Sequence, residues 1–296
     1  MPELPEVETI RRHLQRVVPG SGITQVAVGL PKIVKLPITL FRRRVVGTTI
    51  RRFRRRSKLL LVELSTGRRR AGGHGWTMII HLKMSGQLIW RPRRGRMVAG
   101  GHPIPGGLDD LPNKYSHVIF VTNRGTLFFN DQRQFGFVKL VPTVDLEYWL
   151  EGQGYGPEPL SSDFTVALFE RILRQHRQKR VKSALLDQHV VAGLGNIYAD
   201  EACWYGRVRP TRRISSLRVA ERRALYRGLR KSIAVGVRWQ GTTLRFFRTP
   251  SGRTGRMALH LKVYGRSGLR CYRRDGIIRK ITFQGRGTHF CTRCQR

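Results

Sequence analysis

The residues best suited to chemistry stand at the start of the chain. Pro2 follows a methionine of the kind that aminopeptidase removes before small residues, and its loss exposes a secondary α-amine. An α-amine titrates near pH ~8, far below lysine, so it is a competent nucleophile close to neutrality. Glu3 and Glu6 lie three residues apart, on one side of any helix that begins here, where a carboxyl can carry protons to and from a sugar or a base. The positive end of that helix disfavours the ammonium, whereas the nearby carboxylates favour it. Prolines and glutamates also start helices well with no chemistry attached, so the opening gains meaning only from what accompanies it.

Other candidates follow along the chain. Lys58 precedes an apolar run, Leu59 to Leu64, where a lysine could face phosphate, donate a proton or simply be solvated. Three of the four cysteines, Cys271, Cys291 and Cys294, fall in the last stretch, and Cys203 stands apart. Four cysteines so placed are too few for a secreted disulfide scaffold and point to a reducing compartment. Lys and Arg number 57 against 18 Asp and Glu, a formal charge of +39, and the excess is spread over both halves. Such self-repulsion is offset by a polyanion, and nucleic acid is the natural partner, although charge alone separates neither DNA from RNA nor an enzyme from a binder. No segment has the length and apolarity of a membrane span, so the expectation is a soluble, untargeted, cytoplasmic protein, nucleoid-associated and monomeric, with no membrane partner.

Stepping along the elements, Leu4, Val7, Ile10, Leu14 and Val17 recur at helical spacing until Pro19-Gly20, which predicts an opening amphipathic helix. From Ile23 to Leu140 short β-rich runs alternate with Gly, Pro and Asn, the texture of a β-sandwich or flattened barrel. Within it Arg91 to Leu111 has no period and reads as a mobile loop. From Ser161 the texture is helical through Trp239, with Ser162 or Asp163 as a cap for Phe164 to His176. Lys182 to Glu201 reads as helix, glycine turn, helix, with Asn196 placed to cap the second helix, whose first amides suit phosphate. A Gly- and Arg-rich link, Gly241 to Arg256, leads to a tail too short for its own core without a metal or a host domain. Trp76, Trp90 and Trp239 read as packing.

The opening Pro2-Glu3-Leu4-Pro5-Glu6-Val7-Glu8-Thr9 resembles that of the formamidopyrimidine-DNA glycosylase/endonuclease VIII family. Further matches occur in family order. They include Ser57-Lys58-Leu59-Leu60, His81-Leu82-Lys83-Met84-Ser85-Gly86, Asn130-Asp131-Gln132-Arg133-Gln134-Phe135-Gly136, Gly193-Leu194-Gly195-Asn196, Val263-Tyr264-Gly265-Arg266 and Gly285-Arg286-Gly287-Thr288-His289-Phe290-Cys291. The pattern is closer to the formamidopyrimidine branch. The resemblance implies an α+β multidomain protein: an N-terminal catalytic β-sandwich with its opening helix (1–142), a helix-two-turns-helix DNA-binding domain (150–245) and a finger-like β-hairpin (261–296), with duplex DNA between the domains. It implies a bifunctional glycosylase and abasic-site lyase of base-excision repair that removes oxidised purines, 8-oxoguanine or formamidopyrimidine, and nicks the strand by β,δ-elimination. Pro2 would form a Schiff base with the sugar, with Glu3 and Lys58 moving protons and Arg286 holding phosphate. Met84, Arg133 and Phe135 would fill the gap left by an extruded nucleotide, an apolar wedge replacing lost stacking while the guanidinium bonds the orphaned base. Asn196, Lys182 and His117 would meet the DNA backbone. No organic cofactor is implied.

Two departures stand out. Relatives carry two Cys-x-x-Cys pairs, but Arg274 replaces the second cysteine of the first pair, leaving Cys271, Cys291 and Cys294 as zinc ligands. The open readings are zinc held less tightly, with water, Asp275 or His289 in fourth place, a metal-free finger held by packing, or a sequence error at Arg274. Tyr115 stands where relatives commonly have histidine, which puts one expected phosphate contact in question. The region Thr242 to Leu259, expected over the damaged base, matches nothing that fixes lesion choice. A non-catalytic lesion- or abasic-site binder, with a degenerate finger, is the alternative function, and a general basic nucleic-acid binder a further one.

Overall fold

The helical spacing at the start becomes α1, Leu4–Val17, whose Val7, Ile10 and Leu14 enter the main core. The computed structural model describes residues 1–66, 75–103, 105, 107–242, 256–274 and 276–296. These fall into two units, Met1–Gln153 with Gln240–Gly255, and Gly154–Trp239 with Arg256–Arg296.

In the first unit α1 is followed by β1 (Ile23–Val28), α2 (Ile38–Val45), β2 (Thr48–Arg56), β3 (Leu59–Thr66), β4 (Trp76–His81), β5 (Gly86–Pro92), β6 (Val98–Gly101), β7 (Ser116–Thr122), β8 (Gly125–Asp131), β9 (Phe137–Pro142) and α3 (Leu146–Glu151). The strands make two antiparallel sheets, ordered β1-β7-β8-β5-β6 and β2-β3-β4-β9. Alternate residues of both, among them Leu60 and Val62 on β3, Leu88 on β5, Phe120 on β7 and Phe129 on β8, share one core, so the unit is a β-sandwich. The stretch expected as a loop, Arg91 to Leu111, contains β6, paired with β5 from Gln87↔Gly101 to Trp90↔Val98. Its signal is hidden because the strand ends in Gly100-Gly101: a Cβ on Gly101 would sit 2.3 Å from the Gly86 carbonyl oxygen, so close pairing excludes the side chains that mark a strand.

The second unit holds α4 (Val166–Gln175), α5 (Val181–Leu186), α6 (Asn196–Tyr205), α7 (Val219–Arg238) and a hairpin of β10 (Ile278–Phe283) and β11 (Arg286–Cys291). Thr165, rather than Ser162 or Asp163, caps α4, its hydroxyl accepting from the Leu168 amide at 3.2 Å. Gln284-Gly285, with φ of 47° and 71°, joins β10 to β11 as a two-residue turn. Most of the expected base-covering region, and Asp275, lie outside the described residues. Among the described residues no helix is long and apolar enough to cross a membrane.

Candidate active site and nucleic-acid face

Two carboxylates organise the N-terminal pole of α1. The Glu3 amide donates to Glu6 Oε2 at 3.1 Å, while Glu6 Oε1 accepts from the Thr242 amide at 2.8 Å and the Thr242 hydroxyl at 3.1 Å. All three residues are buried. Gly241, at φ +81°, lets this strand of chain approach; a Cβ there would stand 2.8 Å from Glu6 Oε1. Glu6 is thereby a strut between the start of α1 and Thr242. One helical turn on, Glu8 Oε2 accepts from Arg55 Nε at 3.2 Å, and Arg55 Nη1 donates to the Ser57 carbonyl at 2.9 Å. Glu8, held below the usual carboxylate range by Arg11, Arg12 and Arg55 against the opposing effect of burial, thus ties α1 to the turn that presents Lys58. That turn requires φ +54° at Ser57.

Lys58 is 6 % exposed, not the solvated charge that its place before a strand would suggest. It bears on the chain's α-amine, whose pKa is lowered by burial first, with the charges of Lys58 and Arg133 adding and those of Glu3 and Glu6 opposing. Here the amine belongs to Met1; removal of Met1 moves it onto Pro2, itself buried at the same pole. His81 ends β4 opposite Leu59, and burial, then Lys83 and Lys58, push its pKa down to about 3. Its Nδ1 accepts from the Lys83 amide at 2.8 Å, so the neutral ring keeps its proton on Nε2. Nothing in its motif assigns His81 a role; its place beside Lys83 in a strand-end turn is the signal that the sequence holds.

Met84 and Phe135 are 43 % and 53 % exposed, unusual for their size, and Arg133 lies between them. Its Nη1 stands 3.2 Å from Met84 Sδ and its guanidinium carbon 4.9 Å from the Phe135 ring centre. The sandwich aims this trio through Asp131, fully buried at the end of β8. One carboxylate oxygen accepts from the Ser85 hydroxyl at 2.5 Å and the Arg133 amide at 3.2 Å, the other from the Gly136 amide at 2.6 Å. His117, expected on the DNA backbone, is instead 5 % exposed, with Nε2 at 2.7 Å from the Asp131 carbonyl. Tyr115 is half-buried against a small core with Leu111 and Phe128. Asp131 went unassigned in the sequence because its carboxylate touches only backbone and a serine.

In the second unit Asn196 opens α6, but Gly195 is the cap; the Asn196 amide group donates to the Gly287 carbonyl at 3.0 Å and Tyr264 Oη at 3.3 Å. Lys182 is 1 % exposed and spans to Asp200 Oδ1 at 2.7 Å, Thr288 Oγ1 at 2.8 Å and the Gly287 carbonyl at 3.0 Å. Lys182 thereby fastens α5 and α6 to the hairpin that carries Arg286. Arg286 itself is exposed at the hairpin turn. Cys271, Cys291 and Cys294 place their sulfurs within 4.8 Å of one another, with Cys271 and Cys294 3.8 Å apart. An edge of about 3.8 Å is that of a tetrahedron with metal–sulfur bonds of about 2.3 Å, so the three thiols fit three corners of a metal site. Arg274 points to solvent, His289 is turned to Asp200 (its amide 2.8 Å from Oδ2), and Cys203 is buried apart.

Residues 1–138 match the model of the formamidopyrimidine-DNA glycosylase N-terminal domain, and 155–248 that of its H2TH domain. Over full length the chain is 38 % identical to the formamidopyrimidine-DNA glycosylase of Lactiplantibacillus plantarum, covering 100 % of both. The chain belongs to the formamidopyrimidine-DNA glycosylase family. The family enzyme of Pelotomaculum thermopropionicum is 39 % identical, with 100 % of this chain and 99 % of that one covered. Among solved structures, Lactococcus lactis family proteins in complex with abasic-site DNA and with N7-benzyl-Fapy-dG DNA are each 32 % identical with a TM-score of 0.85. The alignments cover 99 % of both chains in the first case and 100 % in the second.

Proposed function

We propose that this family member is a bifunctional DNA glycosylase and abasic-site lyase of base-excision repair, acting in the cytoplasm as a monomer on duplex DNA that contains 8-oxoguanine or formamidopyrimidine. The observation that carries the reading is that buried Pro2, Glu3 and Lys58 meet at one pole of α1, where burial and Lys58 lower the pKa of the chain's α-amine, since a protein that only binds has no use for an amine next to an acid and a lysine. With Met1 removed, Pro2 attacks C1′ of the damaged nucleotide; the base departs and the Schiff base that remains serves strand cleavage. Glu3 carries protons during base release and ring opening, and Lys58 donates one during β-elimination. Met84, Arg133 and Phe135 enter the duplex where the nucleotide leaves it, and Arg286 and the start of α6 at Asn196 hold phosphates. His117 and Lys182, being enclosed, act by positioning the Asp131 loop and the hairpin.

Zinc on Cys271, Cys291 and Cys294 would cross-link the tail; a three-thiolate site binds it less tightly than four. Borohydride trapping on an abasic-site duplex tests the central step. A covalent adduct is expected, with the cross-linked peptide beginning at Pro2 and modified on its α-nitrogen; an adduct carried by another residue, or none in the parent protein with DNA binding intact, would overturn the assignment.

A further inference from the structure

The C-terminal end of α6 takes no part in the site described above, yet it is strongly cationic. A cavity of about 590 Å³ opens there, and Arg207, Arg227, Lys231, Lys262 and Arg273 line it with no carboxylate among the described residues. On α7, Ala224, Arg227, Gly228 and Lys231 follow at three- and four-residue steps, so one helix face supplies small residues for the floor and cations for the rim. A second cavity of about 690 Å³ shares Gly206, Arg207 and Ala224 with the first, adds Arg218, Arg293 and Arg296, and reaches Cys294 of the thiol cluster at its edge. Its acid, Glu221, is already paired with Arg212 at 2.6 Å. The two cavities adjoin at Gly206, Arg207 and Ala224, and the like charges of this groove repel one another until an anion enters.

The groove reads charge and not bases. Arg273 lies 3.9 Å over the buried Trp204 ring and Lys231 5.2 Å over Tyr205, so the rings at the groove offer no platform for stacking. Its length, two adjoining cavities, suits a chain of phosphates better than a single one. It is also distant from Asn196 and Gly287, because α6 has ten residues and spans about 15 Å at 1.5 Å per residue.

We propose that this groove binds the sugar-phosphate backbone of a second DNA segment, so that one molecule engages a duplex at Asn196 and Arg286 and another at the far end of α6. The inference rests on the DNA-directed reading above. Energy transfer between two short undamaged duplexes, one bearing a donor dye and one an acceptor, reads bridging directly, with sedimentation to confirm one protein per two duplexes. The comparison is the triple variant Arg207→Asn, Arg227→Ser and Lys231→Ser; asparagine is chosen because Arg207 sits at φ +56°, which it tolerates. Bridging should weaken by about tenfold or more in the variant, and its dependence on log salt should flatten by about 0.9 per lost phosphate contact. Single-turnover excision from one short duplex should stay within about twofold, since the three residues lie at the opposite end of α6 from Asn196 or beyond it. Arg227→Glu alone, at an exposed helix position, gives the same reading should the triple variant lose its fold. Equal bridging by parent and variants, or bridging only by protein dimers, would overturn the proposal. So would inorganic polyphosphate binding that needs these cations while DNA bridging does not. Loss of excision in parent and variant alike, with bridging retained, would count against the enzymatic reading and leave the groove standing.

Discussion

Burial lowers the pKa of the chain's α-amine, with Lys58 and Arg133 adding to the effect, and the amine proposed to attack, that of Pro2, stands at the same pole. Removing the positive charge in Lys58→Met should therefore raise the acidic midpoint of the trapping rate. A midpoint that stays in place or falls would show that Lys58 does not act on the amine. Asp131 is the second decisive residue. Asp131→Ala leaves the Ser85 hydroxyl and the Gly136 amide without their acceptor, while the Arg133 amide keeps only Ser85 Oγ at 2.9 Å, a cost on the order of 2–4 kcal/mol for the two stranded donors. Urea denaturation measures that loss, and excision from duplex should fall much further than cleavage of a single-stranded abasic site, which needs no wedge. Equal falls on the two substrates would remove Asp131 from any role in aiming Arg133.

At the scale of elements, the hairpin depends on a buried ion pair. Truncating Lys182 to methionine strands the Asp200 carboxylate, and breaking such a pair costs about 3–5 kcal/mol. The expected result is a separate, earlier unfolding of the α5–α6–hairpin region in thermal scans; an unchanged transition would mean that packing alone holds it. The sequence made the helices and the sandwich strands legible because their side chains show period: Val7, Ile10 and Leu14 in α1, the apolar run of β3. It hid β6, where close pairing selects glycine, and misplaced the helix caps, because serine, threonine, aspartate and asparagine compete for that role within a few residues. Side-chain identity singled out Pro2 and Glu3, which the fold buries at one pole, and Met84 and Phe135, which it leaves exposed on either side of Arg133. It did not show that Lys182 and His117 turn inward, since that burial follows from a carboxylate on another helix, Asp200, and from a backbone carbonyl, that of Asp131, which no residue pattern displays.

For the whole molecule, two linkages between distant segments set stability. The tail is drawn together by Cys271, Cys291 and Cys294, and beside them Arg273 donates to the Trp204 carbonyl at 2.8 Å and lies within 3.4 Å of Cys294 Sγ. Protein purified without chelator should carry close to one zinc per chain and release it to EDTA faster than a four-cysteine relative does; full retention under that treatment would contradict a three-thiolate site. The other linkage joins Glu6 to Thr242, 236 residues apart. During synthesis at about 5–20 residues per second, the ribosome needs tens of seconds to travel that distance. Throughout that interval a nascent chain already holds its amine, its acid and its lysine, yet the strut that seats them has no mate. Competence for covalent attack on a sugar therefore arrives late in translation, and a chain released after Gln153 would leave the ribosome with every reactive group of the first unit and without the anchor that Thr242 supplies to Glu6.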